Sequence, residues 1–94
     1  MKDTTYFPQK LGKRKALEYM SNNKGRFFTA TFIDKDGKQR TINCQYLKYQ
    51  AETVLGYVKV REAIKMKAGE NSIRQINLQT LVSLFIAKQK YHIM

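Results

Sequence analysis

The sequence points to a mainly β protein with one N-terminal helix, its strands forming a small antiparallel barrel of five or six. Three observations carry that expectation. Between Arg26 and Cys44, two runs of alternating character flank an Asp-Gly pair, and a two-residue period is that of a strand. Further short strand-like segments follow, separated by turn formers. Nowhere does the chain show the strand, helix, strand spacing that a parallel sheet needs.

Each element has its own signal. Residues 1–9 have no clear period and carry the only proline, Pro8, which restricts Phe7 to extended geometry; they read as an N-terminal arm ahead of one domain, residues 10–94. Lys10 to Asn23 reads as a helix, because Leu11, Ala16, Leu17 and Met20 fall on one stripe and Lys13, Arg14 and Lys15 on the other side. Gly12 weakens its start, and Asn22, Asn23 and Gly25 accept the left-handed conformation that closes a helix. The first strand then sets Phe28, Ala30 and Phe32 against Phe27, Thr29, Thr31 and Ile33. Asp36 and Gly37 tolerate the positive φ of tight hairpin turns, and the returning strand sets Ile42 and Cys44 against Thr41 and Asn43.

Beyond the hairpin, Tyr46 to Thr53 reads as a polar linker. A third strand over Leu55 to Arg61 alternates Gly56, Val58 and Val60 with Tyr57, Lys59 and Arg61. Glu62 to Asn71 reads as a mobile basic loop, and Ile73 to Asn77 as a fourth strand. Asn77 to Leu81 suits one tight helical turn capped by the Asn77 side chain. Val82 to Ile86 is extended again, Lys88 to Lys90 turns the chain, and Tyr91 to Ile93 adds a short last strand. The expected core is Phe28, Phe32, Ile42, Val58, Val60, Ile76, Leu81 and Leu84.

Composition narrows the function. Eighteen Lys and Arg stand against seven Asp and Glu, a net charge of +11, which suits a binder of nucleic acid or of an acidic protein. No apolar stretch reaches the roughly 18 to 20 residues of a membrane span, and the first residues lack the apolar core of a secretory signal. The expectation is a cytoplasmic protein that does not engage membranes. The single cysteine, Cys44, reads as a small buried hydrophobe, the other readings being a reactive thiol or a metal ligand.

The order of parts resembles a family: small bacteriophage proteins of Src-homology-3-like barrel fold. The likeness rests on Lys35, Asp36, Gly37 and Arg40 in the hairpin, on the GYVKVRE strand, and on Arg74, Ile76, Asn77, Leu78, Thr80 and Leu81. It spans about residues 25–91. What the resemblance implies is the barrel fold and a phage origin, with the host cytoplasm as the setting. The basic helix and the basic loop depart from the shorter pattern of that group. Such barrels serve as binding platforms more often than as enzymes, an inference from fold alone.

Catalytic inventory is thin. His92 is the only histidine, and with Cys44 it falls short of the four ligands of a zinc site. Asp34 and Asp36 belong to the hairpin turn, Asp3 to the arm and Glu18 to the helix, and no glycine run is built to cradle phosphates. The expectation is a non-enzyme without cofactor, metal or catalytic residues. Nucleic-acid binding asks instead for cations beside flat rings. Lys13, Arg14 and Lys15 on the helix, Lys24 and Arg26 before the first strand, Lys38 and Arg40 on the second, Tyr57, Lys59 and Arg61 on the third and Arg74 on the fourth are the candidates. With strands pairing in sequence order, those of the sheet converge on one outer surface. Against this, Lys13 to Lys15 also read as the solvated side of a helix, and Tyr57, Lys59 and Arg61 as an exposed strand face that discourages edge pairing. Phe27 either plugs the helix against the barrel or lies exposed as a stacking ring. The expected role is a small regulatory protein that binds RNA or DNA and modulates host or phage functions, defence included. The alternative is an inhibitor that docks its basic face on an acidic host protein. Monomer and dimer both remain open at this level.

Overall fold

Residues 9–47 and 56–94 are described by a computed structural model of the chain. The expected arm up to Phe7 and Pro8, most of the linker and the start of the third strand at Leu55 lie outside the described residues. In chain order come β1 (Gln9–Leu11), α1 (Lys13–Ser21), β2 (Phe27–Ile33), β3 (Gln39–Tyr46) and β4 (Tyr57–Glu62). After these come α2 (Ala63–Lys67), β5 (Ile73–Asn77), a 3-10 turn (Leu78–Thr80), β6 (Leu81–Ile86) and β7 (Gln89–Ile93). The strands lie in one sheet in the order β1, β7, β6, β2, β3, β4, β5.

The protein is therefore mainly β, but the expected barrel needs correction on three points. Among the described residues there are seven strands, and the sheet they form is not closed and is mixed. The mixing comes from β1, which lies parallel to β7 with Gln9, Lys10 and Leu11 opposite Tyr91, His92 and Ile93. This pairing takes the residues expected to open the helix. It buries Leu11, and α1 then starts after Gly12, whose carbonyl receives the Ala16 amide at 2.9 Å. A three-residue strand has no period to read, and its partner is some eighty residues away.

The hairpin brings together the two faces expected to be apolar, with Phe28 opposite Cys44 and Ala30 opposite Ile42. Its turn is longer than a two-residue one. The Gly37 amide donates to the Asp34 carbonyl at 2.9 Å and the Asp34 amide to the Lys38 carbonyl at 2.8 Å. Gly37 takes a φ of 80° while Asp36 keeps a negative one, as in a type I turn followed by a left-handed glycine. The Asp34 side chain holds the loop: Oδ1 accepts from the amides of Asp36 (2.9 Å) and Lys38 (3.0 Å), and Oδ2 lies 3.1 Å from Arg40 Nε.

Packing follows from the alternation. All eight expected core residues are buried, joined by Ala30, Cys44, Leu78, Ile86 and, from α1, Ala16 and Met20. The helix packs over β6 and the 3-10 turn. Burial, and secondarily the Glu62 carboxylate, pushes the Cys44 thiol up to about 12, so it stays protonated and inert at neutral pH. The strand Ile73–Asn77 and the turn capped by Asn77, whose Oδ1 accepts from the Gln79 amide at 2.9 Å, stand as read from the sequence. The supposed loop Glu62 to Asn71 instead begins as the end of β4 and continues as α2. No helix among the described residues is long and apolar enough to cross a membrane.

The hairpin carries a prediction about acid. The Lys38 amide, chiefly, with the Asp36 amide and Arg40, holds the Asp34 carboxyl below its ordinary value against the opposing effect of burial. A depressed folded-state pKa gives stability that is present above the unfolded value of about 3.9 and lost as pH falls through the folded one. Asp34→Asn should lower the thermal midpoint at neutral pH, and its gap from the native protein should close as pH drops from about 4 toward 2. Thermal melts across pH check this, and a gap that stays constant contradicts it.

Candidate nucleic-acid interface

Positions that alternate with the core make up the outer face of the sheet. They are Phe27, Thr29, Thr31 and Ile33 on β2, Gln39, Thr41, Asn43 and Gln45 on β3, and Tyr57, Lys59 and Arg61 on β4. Ile73, Gln75 and Asn77 follow on β5, Ser83 and Phe85 on β6, Lys90 and His92 on β7, and Lys10 on β1. Not one of these is an acid. Four of the described acids are instead engaged elsewhere, in the pairs Lys15–Glu18, Arg40–Asp34, Lys65–Glu70 and Arg74–Glu62.

On this face, Phe27 (46% exposed) and Phe85 (51%) border a groove of about 470 Å3. Asn23, Arg26, Thr29, Asn43 and Lys88 also line it. The strand register explains the arrangement. Thr29 pairs with Phe85 on one side and with Asn43 on the other, so ring, hydroxyl and amide form a row. Phe27 stands one row along, diagonal to Phe85, and its own row continues through Gln45 to Arg61, two strand spacings or about 10 Å away. Lys90 lies directly across from Phe85. Phe27 is thus the exposed ring of the two alternatives.

The turns at the groove's rim are unusual. In the β6–β7 hairpin, Ile86 pairs with Gln89, and the two residues between them, Ala87 and Lys88, have φ of 52° and 65°. This is the geometry of a type I′ turn, for which Asn-Gly is the favoured pair; each residue with a Cβ costs about 1–2 kcal/mol there. Lys24, with φ 56°, is in the turn that delivers Arg26. Among the described residues, these three are all the non-glycine positions with positive φ; Ala87 and Lys88 line the groove, and Lys24 lies in the turn between its lining residues Asn23 and Arg26. The Lys24 turn is tied down by Asn23 Nδ2 donating to the Arg26 carbonyl at 2.9 Å and by Gln45 Nε2 donating to the Gly25 carbonyl.

A second cleft, of about 490 Å3, separates the β2–β3 hairpin from β5. It gathers Arg40, Tyr57 and Arg74 with Lys35, Asp34 and Asp36. Here the expectation of one converging surface needs correction. Arg40 is in register with Phe32 and Arg74 with Val60, so both stem from the core side. Arg40 Nε lies 3.1 Å from Asp34, and Arg74 Nε donates to Glu62 Oε1 at 3.0 Å. Their charge is spent on carboxylates within the fold, and Glu62 is buried.

The other expected residues are dispersed. Lys13 Nζ donates to the Met94 carbonyl oxygen at 2.6 Å, one helix length, about 13 Å, from the turn that carries Lys24 and Arg26. Arg14 and Lys15 are exposed on α1, Lys38 sits at the hairpin tip, and Lys59 is half-buried on β4. Tyr57 (38% exposed) borders the cleft rather than the groove. Sequence reasoning missed Asn43, Phe85, Lys88 and Lys90. Phe85 stands between Leu84 and Ile86 with no polar neighbour to mark the alternation, and Ala87-Lys88 carries no turn signal. Among the described residues no group of three or more His, Cys, Asp or Glu is placed to hold a metal ion.

Compared with models of known families, with curated proteins and with solved structures, the chain matches none.

Arg74 should prove structural. Arg74→Ala leaves Glu62 buried without its partner, and should destabilise the protein by about 2–3 kcal/mol, below the ~3–5 of a fully buried pair because Arg74 is partly exposed. Denaturant unfolding reads this directly, and an unchanged midpoint would contradict it.

Proposed function

We propose that the protein is a non-enzymatic binding module, phage-encoded and related to small phage proteins of Src-homology-3-like fold, that engages nucleic acid through the outer face of its sheet. The observation that carries the reading is that, among the described residues, no acid stands at an outward strand position, in a chain with net charge +11. Lys10, Arg61 and Lys90 project from that face, and Lys24, Arg26 and Lys88 from the turns at its rim. Cations gathered on one surface release the ions condensed on a phosphate backbone. The relation to that fold is supported by strand order alone: β2 to β5 run as neighbours, a 3-10 turn follows, and β6 returns onto β2, in a sheet that stays open. The phage origin rests on the sequence motifs alone.

A second reading has its own observation. At the corner of α2 and β5, Ile64 (68% exposed), Met66 and Ile73 form exposed apolar surface beside Lys65 and Lys67. That combination suits an acidic host protein with an apolar contact, the inhibitor alternative.

The two separate by salt dependence. Fluorescence anisotropy with DNA and RNA should show binding that weakens linearly in log[salt], with a slope of about −3 to −5 for four to six phosphates contacted. No binding to any nucleic acid at low salt overturns the proposal.

A further inference from the structure

We propose that the groove between Phe27 and Phe85 stacks an unpaired base, so that the nucleic acid taken by this protein is single-stranded. The inference rests on the nucleic-acid reading of the outer face and goes further, because phosphate contacts alone do not distinguish single strands from duplex.

The first support is the pair of rings. Diagonal neighbours on adjacent antiparallel strands stand about 7–8 Å apart, and two van der Waals contacts of about 3.5 Å fill that gap. A flat base between the rings meets both. The rings have not satisfied each other: the aromatic pair among the described residues is Tyr19–Tyr91, edge to face at 5.2 Å. Half-exposed phenylalanines on a water-facing sheet gain by covering their faces, and base–aromatic stacking supplies that cover whatever the base.

The second support is what surrounds the rings. Thr29 and Asn43 line the groove, and an exposed asparagine amide offers both donors and an acceptor to a base edge. Arg26, Lys88 and Lys90 lie on the flanks, where a strand threading the groove would carry its phosphates. The third is backbone strain. Two non-glycine residues in left-handed conformation, Ala87 and Lys88, line this groove, and a third, Lys24, stands in the turn between its lining residues Asn23 and Arg26; conformations of this cost persist where the surroundings hold them. A duplex keeps its bases inside the stack and would meet only the cations; an unpaired strand meets cations and rings together.

The test compares single-stranded DNA, single-stranded RNA and duplex DNA of equal length by anisotropy at several salt concentrations. The native protein should prefer single strands. Phe27→Ala and Phe85→Ala should each weaken single-strand binding about 5- to 150-fold, the effect of losing one stacked base, with the salt slope unchanged. Phe85→Leu, which keeps an apolar side chain, should weaken it too, while Arg26→Ala and Lys90→Ala should each reduce the slope by about 0.7. Thermal melts check that each variant is folded. Equal or tighter binding of duplex, or single-strand affinity untouched in folded Phe27 and Phe85 variants, overturns the stacking inference and leaves the nucleic-acid reading standing. No binding by the native protein overturns both.

Discussion

The pairing of β6 with β2 is the contact on which the rest depends. It brings Leu84 opposite Ala30 and Leu81 opposite Phe32, joining the end of the chain to the hairpin formed much earlier. Between Thr31 and Phe32 the register shifts, a bulge that places Leu81, Leu84 and Ile86 all in the core. Without this long-range pairing, the meander from β2 to β5 would have one apolar face open, and α1 would lose the strand it packs on. The same register sets Phe85 opposite Thr29 on the other side of the sheet. Core closure and the composition of the groove are two consequences of one alignment, because successive side chains on a strand point to opposite faces.

Electrostatics divide along the same line. On the core side, carboxylates are matched: Glu62 takes Arg74, and Asp34 takes Arg40 at the rim of the cleft. The outward strand positions among the described residues include no carboxylate. A charged pair that is partly buried has to be matched, since one charge left alone is expensive, whereas cations in water carry no such requirement. The arginines spent inside and the cations left outside therefore have different roles, although the sequence presents them in the same alternating style.

How much was legible follows from distance along the chain. The hairpin, the strand Ile73–Asn77, the Asn77-capped turn and the core from Phe28 to Leu84 all rest on local period or local turn chemistry, and a single sequence displays both. What stayed hidden is non-local. β1 exists because β7 offers it an edge. Arg74 turns inward because Glu62 waits on the neighbouring strand. The helix α2 lies within a segment whose charge resembles a loop. The groove is the clearest case, since Phe27 and Phe85 are far apart in sequence and meet only through the β2–β6 register. The last turn stands at Ala87 and Lys88, ahead of the Lys88 to Lys90 expected, because its residues are not those the geometry favours.

In the proposed function, nucleic acid sits on the outer face around β2 and β6. Amide chemical-shift mapping during titration with a short single-stranded oligonucleotide addresses it most directly. The largest changes should fall at residues 26–29, 43–45 and 85–90, with little change at Lys13 to Lys15 or in α2. Changes concentrated on α1 or α2, with the β2–β6 face silent, would contradict it.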